Sequence, residues 1–222
     1  MNERELWRKA KDSHGNKHLT LGRYWTYNIY NTPKRILFTL ARYKFAAKII
    51  GAGNILEVGC GEGLGTWLLA KECGMVKGID TDEEAIKDAK RNWDTPFECV
   101  DFLTMKSEEW DAVVALDVIE HIFRKNENRF FRKVADCLTQ EGIAVIGTPN
   151  STSYKYSSEM VRNAHINRYS WKRLKKVMEK YFHNVLMFGS NDEMVHTGYL
   201  PMAHYLIAVG TNKKMAGNSR KK

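Results

Sequence analysis

Cysteine is scarce in this 222-residue chain, and long apolar runs are missing. Its four cysteines, Cys60, Cys73, Cys99 and Cys137, form no CxxC pair and match the spacing of no zinc module. We therefore expect reduced cysteines that pack in the interior, not a disulfide framework. No apolar stretch approaches the ~20 residues of a membrane-spanning helix, and the opening MNERELWRKAKD lacks the apolar segment of a signal peptide. These absences predict a cytoplasmic protein without membrane insertion.

Acidic residues are outnumbered, and the net charge of +9 raises the question of nucleic-acid binding. Much of the excess positive charge lies in residues 211–222, which contain no acid. The basic residues of this segment are Lys213, Lys214, Arg220, Lys221 and Lys222. A basic segment that also contains Gly, Ser and Asn is typical of a disordered, solubilising tail. We therefore predict a basic disordered tail over 211–222 and no nucleic-acid partner.

The first part of the chain differs in composition from the rest. Residues 1–31 are polar with scattered aromatic residues, which predicts an N-terminal helical arm or lid outside the core. A helix is predicted next, with Thr32 as its cap, Pro33 as its first residue and Gly51 as its stop. Apolar residues recur at helical spacing between these limits, so one face of this helix is expected to be buried.

From Asn54 onward, strand-like and helical segments alternate. Seven apolar runs predict strands at 55–59, 76–80, 97–101, 111–117, 142–148, 183–190 and 203–210. Helices are predicted at 65–73, 82–92, 126–138 and 170–181, and TDEE at 81–84 is a capping box that starts the second of these. This alternation predicts an α/β fold with a doubly wound, mostly parallel sheet.

The last two predicted strands break the alternation, because the segment between them shows no helical period. A parallel crossover normally requires a helix, so the final strand is expected to be antiparallel. Strand 183–190 should then be parallel to the others, with its carboxyl end on the ligand side of the sheet. The polar loop 191–199 is therefore predicted to lie over the active face.

A glycine-rich turn follows the first strand, in the sequence ILEVGCGEGLG at 55–65. The dinucleotide fingerprint GxGxxG fails in every register, and no GxxxxGK[ST] phosphate loop is present. The backbone is thus expected to approach a ligand closely without forming a pyrophosphate site.

Two acids end the next two strands on the same side of the sheet. Asp80 lies 19 residues after Gly61, where a carboxylate can accept hydrogen bonds from both hydroxyls of a ribose. Asp101 ends the third strand, within reach of an adenine amino group. Either acid alone is typical of a helix cap or a solvated strand end. Combined with the glycine turn, the two indicate a nucleoside site.

These residues resemble a known family. The segments LEVGCGEG, GID, VDF, DAVVALDVIEHI and GTPN resemble class I S-adenosylmethionine-dependent methyltransferases, most closely the small-molecule branch of ubiquinone and menaquinone methyltransferases. LARYKF, HIN and NDE…HTG…PMAHY are similar to bacterial methyltransferases of sugar and surface-polysaccharide synthesis. The resemblance spans 34–210. It implies a Rossmann-like seven-stranded sheet with the last strand antiparallel, S-adenosylmethionine as cofactor and S-adenosylhomocysteine as product.

The resemblance also implies a set of cofactor-binding residues. They are, from the methionine end to the adenine, Arg42, Glu57, Gly59, Gly61, Gly63, Leu116, Asp80, Thr81, Asp101 and Phe102. Arg42 is assigned to the cofactor carboxylate, and the alternative is an exposed charge on its helix.

Methyl transfer to a hydroxyl requires alignment of the acceptor and a base that removes its proton. The candidates for catalysis are His121 first, then His196 and His165, with Asp117 beside them. The alternative for His121 is a structural hydrogen bond within its turn. Residues expected to bind substrate are Asn191, Asp192, Glu193 and His204. A divalent metal held by His121, His165, Glu193 and His196 is a further possibility, but no standard metal motif is present, so no metal is predicted.

The predicted function is methyl transfer from S-adenosylmethionine to a hydroxyl of a small molecule, such as a sugar or sugar nucleotide, in polysaccharide biosynthesis. The protein is expected to be a monomer or a homodimer. The strand-four motif LDVIEHI replaces the Asn-Pro-Pro-aromatic turn of many amino-methylating enzymes, and no cysteine closely follows strand four or five. An RNA methyltransferase and a non-catalytic S-adenosylmethionine-binding regulator are the alternatives.

Overall fold

A mixed sheet forms the centre of the computed structural model, which describes residues 1–15 and 18–215. Its eight strands are β1 Gly53–Val58, β2 Gly74–Asp80, β3 Phe97–Cys99, β4 Trp110–Leu116, β5 Leu138–Pro149, β6 Phe182–Ser190, β7 Val195–His196 and β8 Tyr205–Lys213. The order across the sheet is β3-β2-β1-β4-β5-β8-β6-β7. β8 is antiparallel to β5 and to β6, which makes β6 parallel to the first five strands, as predicted.

Helices connect the strands and precede them. They are α1 Glu3–Asp12, α2 Arg23–Asn31, α3 Lys34–Ile50, α4 Leu64–Cys73, α5 Glu83–Asn92, α6 Glu127–Asp136, α7 Glu159–Ala164 and α8 Trp171–Met178. α3 ends at Gly51, whose φ of 70° is accessible to glycine at little cost, so the predicted stop is confirmed. Short 3₁₀ turns lie at Ile119–His121, Arg124–Asn126, Ser151–Tyr156 and Leu200–Met202.

The core lies on both faces of the sheet, which confirms the doubly wound arrangement. Val113 of β4 belongs to the apolar cluster that contains Phe131 of α6 and Leu174 of α8. Its neighbours Ala112 and Val114 belong to the opposite cluster, with residues of α3 and α4. Successive side chains of a strand point to opposite faces, so the apolar run of β4 supplies both clusters.

The predicted seven strands become eight because the segment after β6 turns back. Ser190 and Gly189 pair antiparallel with Val195 and His196, which creates β7 at the edge of the sheet. Residues 191–199 were predicted as a polar loop over the active face. The hairpin draws this loop toward the sheet edge.

Two further predictions need correction. The cap of α5 is Asp82, not Thr81, since the Asp82 side chain accepts hydrogen bonds from the N–H groups of Glu84 and Ala85. The basic tail was predicted to begin at residue 211, yet β8 extends to Lys213 and pairs with β6 there. Residues 216–222 of that tail lie outside the described residues.

The N-terminal segment has two different parts. α1 is exposed along its whole length, as expected for an arm. α2 buries Trp25 and Asn28, so this part of the segment packs against the rest of the fold. Helices long and apolar enough to cross a bilayer do not occur in the described residues. The four cysteines are free, and Cys99 is exposed while the other three are buried.

Candidate active site

The turn between β1 and α4 places main chain at the carboxyl end of the sheet. Gly59 has a φ of 75°, and a Cβ at this position would lie 2.4 Å from Cγ2 of Val118. Gly63 has a φ of 80° and would collide with Phe97. A Cβ at Gly61, by contrast, would meet no heavy atom of the described residues within 4 Å. Glycine is therefore required by packing at 59 and 63, whereas open space for a ligand adjoins position 61.

A first cavity of about 350 Å³ lies beyond the ends of β2 and β3. Asp80 lines it and accepts hydrogen bonds from the N–H groups of Gly61 at 2.8 Å and Asp82 at 3.0 Å. Asp101 and the buried Phe102 line its far side, together with Thr81. The cavity thus combines two carboxylates with an apolar wall, which suits a nucleoside.

A second cavity of about 510 Å³ lies between α2, α3 and the segment around α7. Its lining residues from the predicted set are Arg42, Gly59, Gly61, Leu116, Asp117, His121, His165 and His204. Gly59, Asp117 and His121 line both cavities. The two spaces therefore meet at these three residues.

Asp117 lies at this meeting point in a strained conformation, with a φ of 58°. Its backbone N–H donates to the carbonyl oxygen of Gly147 at 3.0 Å and to the hydroxyl oxygen of Tyr205 at 3.1 Å. Its carboxylate Oδ2 accepts from Nη1 of Arg42 at 3.1 Å. The Arg42 guanidinium also lies 3.5 Å from the ring centroid of Tyr205. Arg42 is thus a mostly buried ion-pair partner, and the exposed-charge alternative is wrong.

Glu57 lies beneath the glycine turn and lines neither cavity in the described part of the chain. Its two oxygens accept hydrogen bonds from Tyr43 and Thr66, each at 2.5 Å. Burial raises the pKa of this carboxyl to about 7. Its visible role is to hold α3 and α4 in place under the turn.

Glu120 is fully buried beside His121, on the 3₁₀ turn that follows β4. One oxygen accepts from Thr148 at 2.9 Å, and Oε1 has no hydrogen-bond partner among the described residues. Burial, together with the nearby Asp117 carboxylate, raises the pKa of Glu120 to about 8.

His121 and His165 face each other, with ring centroids 4.8 Å apart. Nδ1 of His121 lies 3.1 Å from the carbonyl oxygen of Ala164. A carbonyl only accepts, so Nδ1 carries a proton, and in the neutral ring the lone pair is on Nε2. Nδ1 of His165 lies 3.0 Å from the Tyr154 hydroxyl. Burial and the neighbouring His121 lower the pKa of His165 to about 4, so it is neutral at pH 7.

The structure separates several residues that were expected to act together. His196 is in β7, where its Nδ1 accepts from the N–H of Gly198 at 3.1 Å. Asn191 accepts from the backbone of His204, Asp192 from that of Met194, and Glu193 is exposed. Within the described residues none of these four lines either cavity, because the β7 hairpin holds the loop at the sheet edge. His204 does line the second cavity.

Two acids of the site, Glu120 and Glu62, were not predicted from the sequence. Glu62 lines the second cavity and accepts from the backbone N–H groups of Tyr24 and Trp25. Glu120 directly precedes His121 in the motif DVIEHI, and this position beside the first candidate base could have indicated it. For Glu62, the only indication in the sequence was its position inside the glycine turn.

The mostly parallel sheet, its glycine turn and the acids at the ends of β2 and β3 define a Rossmann-like fold of the class I methyltransferase type. Residues 56–146 match the family model described as a methyltransferase domain. In sequence and in fold the chain is thus similar to S-adenosylmethionine-dependent methyltransferases.

Individual relatives agree with this assignment. A probable S-adenosylmethionine-dependent methyltransferase of Mycobacterium tuberculosis is 30% identical over 115 residues, which are 50% of this chain and 41% of that protein. A ubiquinone biosynthesis O-methyltransferase of Rickettsia bellii is 30% identical over 161 residues, covering 70% of this chain and 65% of that protein. The chain thus spans less than half the length of the mycobacterial relative.

A solved structure shows the same fold. The possible histamine N-methyltransferase from Thermotoga maritima superposes with a TM-score of 0.69 at 16% identity, covering 86% of this chain and 95% of that one. At this identity the likeness concerns the fold alone.

Proposed function

We propose that this protein transfers a methyl group from S-adenosylmethionine to a hydroxyl of a small molecule. The observation that supports this function is the meeting of two cavities at Gly59, Asp117 and His121. The first cavity suits a nucleoside, and the second leaves room for an acceptor next to a histidine with a free lone pair. When bound, S-adenosylmethionine supplies a methyl carbon that its positive sulfur has activated.

The residues of the first cavity fit this cofactor. The Asp80 carboxylate is already fixed by two backbone N–H groups, and its remaining lone pairs can accept from ribose hydroxyls. Asp101 and Phe102 would hold the adenine with a carboxylate and an apolar surface. The open space at Gly61, on the side of the second cavity, would admit the methionine part. Arg42 and Leu116 lie on that side as well.

His121 is the proposed general base. Its Nδ1–H is anchored on the carbonyl of Ala164, which fixes the tautomer and leaves Nε2 to take the proton of the acceptor hydroxyl. Alignment of the acceptor by the cavity walls can contribute about 7–11 kcal/mol, and a positioned base adds roughly 10²–10⁴-fold in rate.

The acceptor is proposed to be a sugar, a sugar nucleotide or a related hydroxyl compound of polysaccharide biosynthesis. The second cavity presents aromatic surface from Tyr24 and Trp25 next to polar groups from Arg35 and His204. Such a mixture suits a polar ring that stacks on aromatic side chains while its hydroxyls form hydrogen bonds. The name of the rickettsial relative supports oxygen as the methylated atom.

A screen with methyl-labelled S-adenosylmethionine tests this function. Sugar nucleotides, quinone precursors and RNA would be offered as acceptors, each with and without EDTA. We expect saturable cofactor binding and label transfer to a small hydroxyl compound, and an Asp80→Ala variant should bind the cofactor at least tenfold more weakly. Transfer to RNA alone would favour the RNA alternative, and cofactor binding without any turnover would favour a regulator. Binding of NAD in place of S-adenosylmethionine would contradict the proposal.

A further inference from the structure

Three side chains with metal-ligating atoms converge beside the second cavity. Glu120 and His121 come from the 3₁₀ turn after β4, and His165 follows α7. One ligand atom from each residue lies within 4.8 Å of those of the other two. In the part of the chain that the structure describes, no other group of three histidines, cysteines or acids meets this criterion.

The buried carboxylate of Glu120 points to a missing partner. Its exposed fraction is 0%, and its Oε1 has no hydrogen-bond partner among the described residues. A buried carboxylate oxygen without a partner is costly, and a bound cation is one way to offset this cost. The side chain is packed in place by Thr148, so it cannot reach solvent without losing that hydrogen bond.

The two histidines are oriented as metal ligands usually are. Nδ1 of His121 donates to the carbonyl of Ala164, which leaves Nε2 free. The Tyr154 hydroxyl oxygen can accept a hydrogen bond from the Nδ1–H of His165, which leaves Nε2 of that ring free as well. Ligating histidines commonly donate their other ring N–H to a carbonyl or another oxygen, which fixes the tautomer and the ring orientation.

We propose that Glu120, His121 and His165 bind a divalent transition-metal ion such as Zn²⁺. Two imidazoles and one carboxylate form a common donor set for this ion, and three protein ligands leave one position open. The opening lies toward the second cavity, because His121 and His165 line it.

If the proposed function is correct, metal binding affects methyl transfer. The ion occupies Nε2 of His121, the atom that would otherwise accept the proton of the acceptor hydroxyl. Binding of Zn²⁺ and base catalysis by His121 therefore exclude each other, and Zn²⁺ should inhibit methyl transfer at the concentrations at which it binds.

Calorimetric titration of the untagged, EDTA-treated and dialysed full chain with Zn²⁺ tests the site directly. We expect one ion per chain with a Kd below about 10 µM. Glu120→Gln and His165→Ala should each weaken binding by roughly tenfold or more, whereas His183→Ala, which alters an exposed histidine of β6, should bind like the original protein. Titration with Co²⁺ should produce visible absorption bands that His165→Ala abolishes.

Two results would overturn the metal site. One is the lack of saturable Zn²⁺ binding with a Kd below about 10 µM, and the other is unchanged affinity in a His165→Ala variant that still binds S-adenosylmethionine. Since the titration measures the ion and not turnover, it is independent of the methyl-transfer screen. Saturable Zn²⁺ binding by a protein that shows no methyl transfer even after EDTA treatment would retain the site and reject the proposed function.

Discussion

Glu57 is a buried carboxylic acid whose protonation is linked to the stability of the fold. The ordinary pKa of 4.5 rises to about 7 because of burial, although hydrogen bonds from Thr66 and Tyr43 act in the opposite direction. The unfolded chain loses this proton near pH 4.5 and the folded chain only near pH 7. Between these values the folded chain binds more protons, so the free energy of unfolding falls as the pH rises.

A Glu57→Gln variant should remove this pH dependence, because the amide resembles the protonated acid. Between pH 5 and 7.5 we expect the original protein to lose up to roughly 3 kcal/mol of stability relative to the variant. Urea denaturation across this range measures the difference, with Glu109→Gln, an exposed glutamate, as the control. Parallel pH profiles for Glu57→Gln and the original protein would show that Glu57 ionises normally.

His121 and His196 were both candidates for catalysis, and the structure distinguishes them by their position relative to the cavities. His121 lines both cavities, whereas His196 is held in the β7 hairpin. We expect His121→Ala to lower kcat by roughly 10²-fold or more, as removal of a general base does, and His196→Ala to leave it within about twofold. Steady-state kinetics with the acceptor from the screen measures both. Similar losses in the two variants would contradict the assignment.

At the scale of whole elements, Glu62 joins α2 to the glycine turn. Its carboxylate accepts from the N–H groups of Tyr24 at 2.6 Å and Trp25 at 3.3 Å, at the start of α2, where Gly22 supplies no side-chain cap. The Glu62 carbonyl accepts from the indole N–H of Trp93 at 2.9 Å. An anion at a helix N-terminus is favourable, so this residue holds one wall of the second cavity.

A Glu62→Gln variant should loosen α2 without unfolding the sheet. Loss of the charge at the helix start should lower the stability of α2 by ~1 kcal/mol. Amide exchange in residues 23–31 should therefore become severalfold faster. Hydrogen exchange followed by mass spectrometry measures this, and residues 64–73 of α4 should be unchanged. Glu72→Gln, on the exposed side of α4, is the matched control. Unaltered exchange in α2 would mean that the Glu62 contact does not stabilise it.

At the scale of the whole molecule, the last strand in the sequence occupies an interior position of the sheet. β8 lies between β5 and β6 and pairs with both. Its residues Leu206 and Ala208 belong to one apolar cluster, and Ile207 and Val209 to the other. Both apolar clusters therefore remain incomplete until β8 has paired with its neighbouring strands.

Truncation tests how much the part of β8 after Gly210 contributes to the stability of the fold. A chain that ends at Met215 retains the pairing of Thr211 with Asn184 and of Lys213 with Phe182, and a chain that ends at Gly210 loses both. The Lys213 ammonium group also donates to the carbonyl of Leu138. We expect the shorter chain to be less stable by about 1–3 kcal/mol in urea denaturation. Equal stability would restore the predicted boundary at residue 211.

Much of the fold and of the cofactor side of the site was determined by the sequence itself. Apolar runs such as 111–117 predicted the strands, and the missing helical period before the last strand predicted its antiparallel direction. The glycine turn, Asp80 and Asp101 were found by spacing alone, because the carboxyl ends of parallel strands meet at one edge of the sheet. Each of these features depends on residues close in sequence or on a general rule of sheets.

The acceptor side was decided only by the tertiary structure. Arg42 reaches Asp117 across 75 positions of the chain, and His165 meets His121 only because the segment around α7 folds back onto the turn that follows β4. The loop after β6 was predicted to lie over the active face, yet the pairing of Ser190 with Val195 holds it at the sheet edge. Such contacts depend on strand register and on the path of long connections, which local periodicity does not encode.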